Sequence, residues 1–253
     1  MKASDYIAKK LSSYTNYAFT GQGGSVVHIL DSLSKVKKIN ILPSQNEQGA
    51  SLAADAFYRA SGKIGVVVAT SGPGILNTLQ GMACSYYDSI PALYLSGAPV
   101  TSGIKKNKNL RQLGFQEMEV MDIVKSMTKY STRITNVKDL RYEIEKAIFY
   151  SLEGRPGPVL IDLPDDVQRQ EVNEKKLRPF IPKINLIKPN KKIINKLESL
   201  VSKSKRPVVV MGNGVKISKT NEKFYKIIKK YKIPFATTWA TTDLFDISDK
   251  LNI

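Results

Sequence analysis

Three runs of the sequence constrain its fold more than any other feature: "GKIGVVVATSGPG" (62–74), "IPALYLSGAP" (90–99) and "GPVLIDLP" (157–164). None alternates polar with apolar residues, so each reads as a strand covered on both faces. Strands of that kind belong to parallel sheets flanked by helices. Between them, apolar residues recur at helical spacing. Such patterns run over 3–14, from Val26 to Leu33, and from Gly49 through Ala50, Ala53, Ala54, Phe57 and Ala60. Others start near Ile75 and cover 117–123 and 138–152. Shorter strand signals lie in "YAFTGQGG" (17–24) and at 39–42. The alternation predicts an α/β fold on a doubly wound parallel sheet.

The pattern is interrupted once. Over 173–189 the composition turns to Pro, Lys and isolated apolar residues, as in an interdomain linker. The reading is therefore a first domain over 1–172, a linker, and an incomplete second Rossmann-like α/β unit over 190–253. That unit holds helix 190–202, strand "RPVVVMGNG", helix 220–231 and strand "IPFATT". So few strands are not expected to form a full domain alone.

Composition removes several classes of function. The 253 residues carry a net charge of +17, which raises the question of nucleic acid. The charge is uneven: residues 1–172 have 20 Lys/Arg against 16 Asp/Glu, and residues 173–253 have 19 against 6. The excess lysines sit between apolar positions, as on the wet face of amphipathic helices, and no aromatic-rich basic stripe accompanies them. No nucleic-acid partner is expected. No apolar run reaches the roughly 18 residues a membrane helix needs, so no membrane partner is expected either. Cys84 is the only cysteine, which excludes an internal disulfide and fits a cytoplasmic location. His28 is the only histidine and reads as a core residue; a histidine metal site or a Ser-His-Asp triad has no material. No metal ligands are assigned.

In an open parallel sheet, ligands gather beyond the carboxyl ends of the strands. Three loops fall there: "TGQGGS" (20–25), "SQNEQG" (44–49) and "TSGPGILN" (70–77). Their glycines let main chain approach a flat ligand, and helix N-termini offer free N–H groups. Glu47 is the carboxylate among them. An acid there complements a helix dipole; in a partly dry crevice it is also suited to proton work. Each loop taken singly is an ordinary tight turn as readily as a site. Ser71 has no histidine or lysine base beside it in the sequence, and "MGNGVKI" (211–217) has Ile217 where a dinucleotide loop has its third glycine.

The ordered set "GQGGS", "NEQGASLAADAFYRASGK", "ATSGPGILNTLQGMACSYYDSIP", "LRQLGFQE" and "EGRPGPVLIDLPDDVQ" resembles the thiamine diphosphate enzymes of the acetolactate synthase type. The resemblance covers 1–172 as the pyrimidine-binding domain and continues into 190–253 as the start of the central domain. It implies decarboxylation of a 2-keto acid, pyruvate in the first instance, with carboligation of the two-carbon unit. Glu47 corresponds to the glutamate that touches the aminopyrimidine and activates the cofactor, which then serves as the electron sink when CO₂ leaves. Gly21, Gln22, Gly23 and Gly24 match the loop over the reacting side of the cofactor. Ser71, Gly72, Pro73, Gly74 and Asn77 match the turn beside the pyrimidine. Phe115 and Gln116 match residues that line the substrate pocket from a neighbouring subunit's side, and Arg111, expected on the same substrate side, stands where the plain synthases often lack a cation.

The resemblance further implies a homodimer or homotetramer, with Mg²⁺ and the diphosphate bound through a further domain carrying a GDG motif. No GDG occurs in these residues, so that domain is expected from the rest of the protein or from another chain, and this chain alone is expected to be inactive. FAD in the central domain is left open. Two departures stand out: Asp165 replaces the usual lysine of the "LPDDV" motif, and Asn46 the usual histidine before Glu47. With Arg111, they give a pattern similar to the members that act in surface-sugar pathways. A truncated, non-catalytic homologue acting as a binding or dimerisation partner is the alternative.

Overall fold

The computed structural model describes residues 1–107, 109–183 and 189–253. Contacts divide them into two units, 1–182 and 183–253. In chain order the first contains α1 (Ala3–Leu11), β1 (Tyr17–Thr20), α2 (Val27–Ser34), β2 (Asn40–Pro43), α3 (Glu47–Ser61), β3 (Gly65–Ala69) and α4 (Pro73–Leu76). There follow α5 (Leu79–Asp88), β4 (Ala92–Ala98), α6 (Val120–Val124), β5 (Tyr130–Arg133), α7 (Leu140–Leu152), β6 (Val159–Pro164) and α8 (Asp165–Arg169). Among the described residues, the strands form a six-stranded sheet in the order β2-β1-β3-β4-β6-β5, and every pairing is parallel. This is the doubly wound sheet the apolar runs predict.

The continuous runs have a direct cause in the packing. Along β3, Val66 and Val68 join Ile7, Leu11, Ile29 and Leu33 from α1 and α2 on one face. Val67 and Ala69, between them, join Ala50, Ala54 and Met82 from α3 and α5 on the other. β4 and β6 are buried at every position in the same way. α3 begins where Asn46 accepts the Gly49 N–H at 2.8 Å and ends at Gly62, whose φ of 70° suits a residue without Cβ. β5 was not expected. "YSTR" is polar and half-buried throughout because it forms the edge of the sheet beside β6, so no apolar run marks it.

Residues 173–182, linker-like in composition, pack on the first unit. Val172 N–H donates to the Met1 carbonyl at 2.8 Å, and Phe180 N–H donates to Glu145 on α7 at 2.9 Å. The Phe180 ring meets Tyr142, Phe149 and Tyr150. Residues 184–188 of that stretch lie outside the described residues. His28 is half-buried with its Nε2 3.5 Å from Asp165 Oδ1, rather than enclosed in the core.

The second unit contains α9 (Lys191–Lys203), β7 (Val209–Met211), α10 (Asn213–Ile217), α11 (Asn221–Tyr231) and β8 (Phe235–Thr237). β7 and β8 pair in parallel, and Met211, Ile228 and Phe235 are their buried centre. Val208, Val210 and, on α9, Ile193, Leu197 and Leu200 are exposed.

Candidate active site

The chain leaves β1 toward β2 on one side and returns to β3 on the other. β1 and β3 are neighbours, so the loops at their carboxyl ends flank a topological switch point. Gly21 N–H donates to Val68 O at 2.9 Å, which draws the first glycine loop against β3. Glu47 is the first residue of α3, half-buried, with its side chain aimed across this gap. Its Oε2 accepts from Asn77 Nδ2 at 3.0 Å. Its Oε1 is framed by bare main chain: a Cβ on Gly21 would lie 2.8 Å from it, and one on Gly74 3.4 Å.

Behind this pair a set of short polar side chains fixes the loops. Ser25 Oγ and Thr70 Oγ1 lie 2.8 Å apart, and Ser71 N–H donates to Ser25 Oγ at 2.9 Å. Gln168, fully buried on α8, donates through Nε2 to Ser25 O at 2.7 Å and to Leu163 O at 2.8 Å. A Cβ on Gly23 would overlap Thr70. Sequence reasoning did not single out Ser25, Thr70 or Gln168. Thr70 could have been found as the residue preceding the glycine turn; nothing local marks Gln168, which meets Ser25 from 143 positions away.

The resulting cleft, open to one side and of about 630 Å³, is lined by Glu47, Thr70, Pro73, Gly74, Leu76, Asn77 and Gln116. Of the residues expected at a site, Glu47, Pro73, Gly74, Asn77 and Gln116 meet there, with Gly21 and Gly23 behind them. Gln22 and Gly24 are exposed at the loop tip. Ser71 and Gly72 are buried in an adjoining seam with Ser96, Met118, Arg133 and Asp162. Phe115 is 83% exposed and outside the cleft lining; Arg111 is also exposed, its carbonyl accepting from Lys105 Nζ at 2.9 Å.

Gln116 enters the cleft on a left-handed backbone, φ 54°, with its carbonyl 2.8 Å from the place a Cβ on Gly72 would occupy. Gly72 itself has φ 64°. Glu117, next in the chain, is buried. Its carboxylate accepts the N–H groups of Lys105 at 2.7 Å and Leu113 at 2.6 Å. Burial opposes its ionisation, but these main-chain donors and the Lys105 charge hold its pKa below the usual value. The helix expected from 117 therefore starts only at Val120: Glu117 turns back to the preceding loop.

The N-terminal TPP binding domain of thiamine pyrophosphate enzymes matches residues 1–124, and the central domain of the same enzymes matches 194–253. The two follow one another in the family's order. The chain belongs to the thiamine pyrophosphate enzyme family. It is 33% identical over 237 residues to the acetolactate synthase large subunit of Lactococcus lactis subsp. lactis, covering 91% of this chain and 40% of that protein. It is 32% identical over 262 residues to the chloroplastic acetolactate synthase 2 of Nicotiana tabacum, covering 100% of this chain and 38% of that protein. It is 35% identical over 245 residues to a probable acetolactate synthase large subunit of Methanocaldococcus jannaschii, covering 94% of this chain and 40% of that protein. The chain spans about 40% of the length of the relatives it matches. Among its described residues no helix is long and apolar enough to cross a membrane.

Proposed function

We propose that this thiamine pyrophosphate enzyme chain supplies the pyrimidine-binding half of a site that decarboxylates a 2-keto acid, pyruvate in the first instance, and ligates the two-carbon unit to a second carbonyl compound. One observation carries the reading: Glu47 presents Oε1 at the switch point between the bare backbones of Gly21 and Gly74, with Oε2 already taken by Asn77. A flat, nitrogen-bearing ring fits against such a surface, because no Cβ stands between it and the carboxyl group.

When bound, thiamine diphosphate supplies a carbon nucleophile and an electron sink. Glu47 holds or releases a proton at Oε1, where a ring nitrogen can share it. Asn77 fixes the carboxyl plane by donating to Oε2. Thr70 and Ser25 keep the two glycine loops in register, and Gln116 offers its amide on the side where substrate enters. Mg²⁺ and the diphosphate belong to residues beyond those described, and the site lies between two copies of the protein. A cytoplasmic setting accords with the lone exposed Cys84. Flavin, and an acceptor from surface-sugar chemistry, are further members of the same proposal.

The test is Glu47→Gln in the protein completed by its diphosphate-binding domain. Thiamine diphosphate-dependent release of CO₂ from pyruvate should fall by about 100- to 10,000-fold, while the thermal midpoint stays within about 2 °C. Unchanged turnover would remove Glu47 from the reaction. No turnover with Glu47 intact would favour the non-catalytic binding role.

A further inference from the structure

The cleft wall that carries Gln116 is held from the other half of the sheet. At the carboxyl ends of β4, β6 and β5, Ser96, Asp162 and Arg133 form one rung across three neighbouring strands. The side chain of Asp162 is 1% exposed and that of Arg133 14%. Arg133 Nε donates to Asp162 Oδ2, and Arg133 Nη2 donates to the Met118 carbonyl at 3.0 Å. A buried ion pair adds little stability over a well-packed apolar pair of similar volume. The planar guanidinium does add direction, since one arm locked on a carboxylate fixes where the other points. Here it points at the main chain two residues beyond Gln116.

Gln116 needs such a hold. A left-handed backbone strains a residue with a side chain, and it persists only where its surroundings impose it. Its carbonyl rests on Gly72, and a narrow seam lined by Gly72, Met118, Arg133 and Asp162 joins the buried rung to that contact. The contacts run without a break from Asp162 through Arg133 and Met118 to Gln116 and the glycine turn.

We infer that Arg133, oriented by Asp162, is a positioning residue that holds 114–118 so that Gln116 keeps its backbone against Gly72 and its side chain at the Glu47 cleft. The consequence for substrate rests on the function proposed above. The loop contact itself can be measured without any activity.

The experiment uses the whole chain and two variants. Arg133→Met with Asp162→Leu removes both charges, leaves no buried ion unpaired and cannot donate to Met118. Arg133→Lys keeps an ion pair with Asp162 but lacks the forked second donor. Hydrogen–deuterium exchange of the peptide spanning 109–118 should become about tenfold faster in both, with exchange of the peptides covering β3 and β4 unchanged. Wild-type protection of 109–118 in either folded variant overturns the inference. In the completed, cofactor-loaded protein the same variants should raise KM for pyruvate about tenfold and change kcat by less than about threefold. A loosened loop in a protein that never turns over pyruvate would leave the positioning role standing and remove the functional reading.

Discussion

Along one edge of one sheet, two ways of fixing a loop stand side by side. Behind β1, β2 and β3 the chain is positioned by missing side chains: Gly21, Gly23, Gly72 and Gly74 let main chain meet Glu47, Thr70 and Gln116. Behind β4, β5 and β6 it is positioned by buried and half-buried charge. Asp166 accepts from the N–H and hydroxyl of Thr101 at 2.9 and 2.6 Å, Glu117 gathers Lys105 and Leu113, and Asp162 pairs with Arg133. Burial pushes the Asp162 carboxyl up and the Arg133 guanidinium pulls it part of the way back. The difference separates two jobs. Carboxylates engaged by main-chain donors or a guanidinium are anchors. Bare backbone leaves a surface that a ligand can occupy, and Glu47 is the one ionisable group in the described lining of that cleft.

Asp162→Ala should disturb the charged half most. It leaves Arg133 buried without its carboxylate, which costs about 3–5 kcal/mol when one member of such a pair is removed. A urea midpoint measures it, and a loss under about 1 kcal/mol would mean that water reaches Arg133 and the anchor is not the pair. The glycine half should yield less. In Gly23→Ala the new Cβ runs into Thr70 Cβ and Oγ1, so Thr70 must leave Ser25, at about 1–3 kcal/mol for such overpacking. Gly24→Ala is its control: a Cβ there meets nothing within 4 Å, and the change should stay within about 0.5 kcal/mol. Equal effects at the two positions would deny that loop packing is what Gly23 serves.

The two halves were also unequally legible. The glycine half could be read because its parts are contiguous: each glycine loop directly follows a strand, and β3 declares itself by apolar residues on both faces. The charged half could not. Arg133 and Asp162 are 29 positions apart, on strands adjacent only in the folded sheet, and β5 is too polar and too short to show. The helical pattern over 117–123 makes Glu117 the first residue of a helix, whereas its partners lie 4 and 12 positions upstream. Local pattern suggested the wrong neighbour because main-chain donors in an irregular loop leave no periodicity. Phe115 and Arg111, which the resemblance brought to the substrate side, are exposed in the single chain, so no contact within it marks them. The linker-like composition of 173–182 likewise hid Leu177, which is buried, and Phe180, whose ring meets Phe149.

The finest test of the contrast is the response to pH of Glu117→Gln. The folded pKa of Glu117 lies below its ordinary value of 4.5, because main-chain N–H groups and Lys105 outweigh the burial that opposes ionisation. A depressed folded pKa means that the stabilisation is complete above about pH 4.5 and is lost as pH falls through the folded value. Glutamine at 117 accepts one N–H through its oxygen and turns an NH₂ toward the other. At pH 7 the variant should therefore be less stable by about 1–2 kcal/mol. That gap should narrow below about pH 4.5 and close once the wild-type carboxyl is protonated, as read from urea midpoints of both proteins across the range. The difference between wild type and Gly23→Ala should stay flat over the same interval, since steric overlap with Thr70 involves no proton. A flat profile for Glu117→Gln as well would place its carboxylate in water and remove it as the anchor of Lys105 and Leu113.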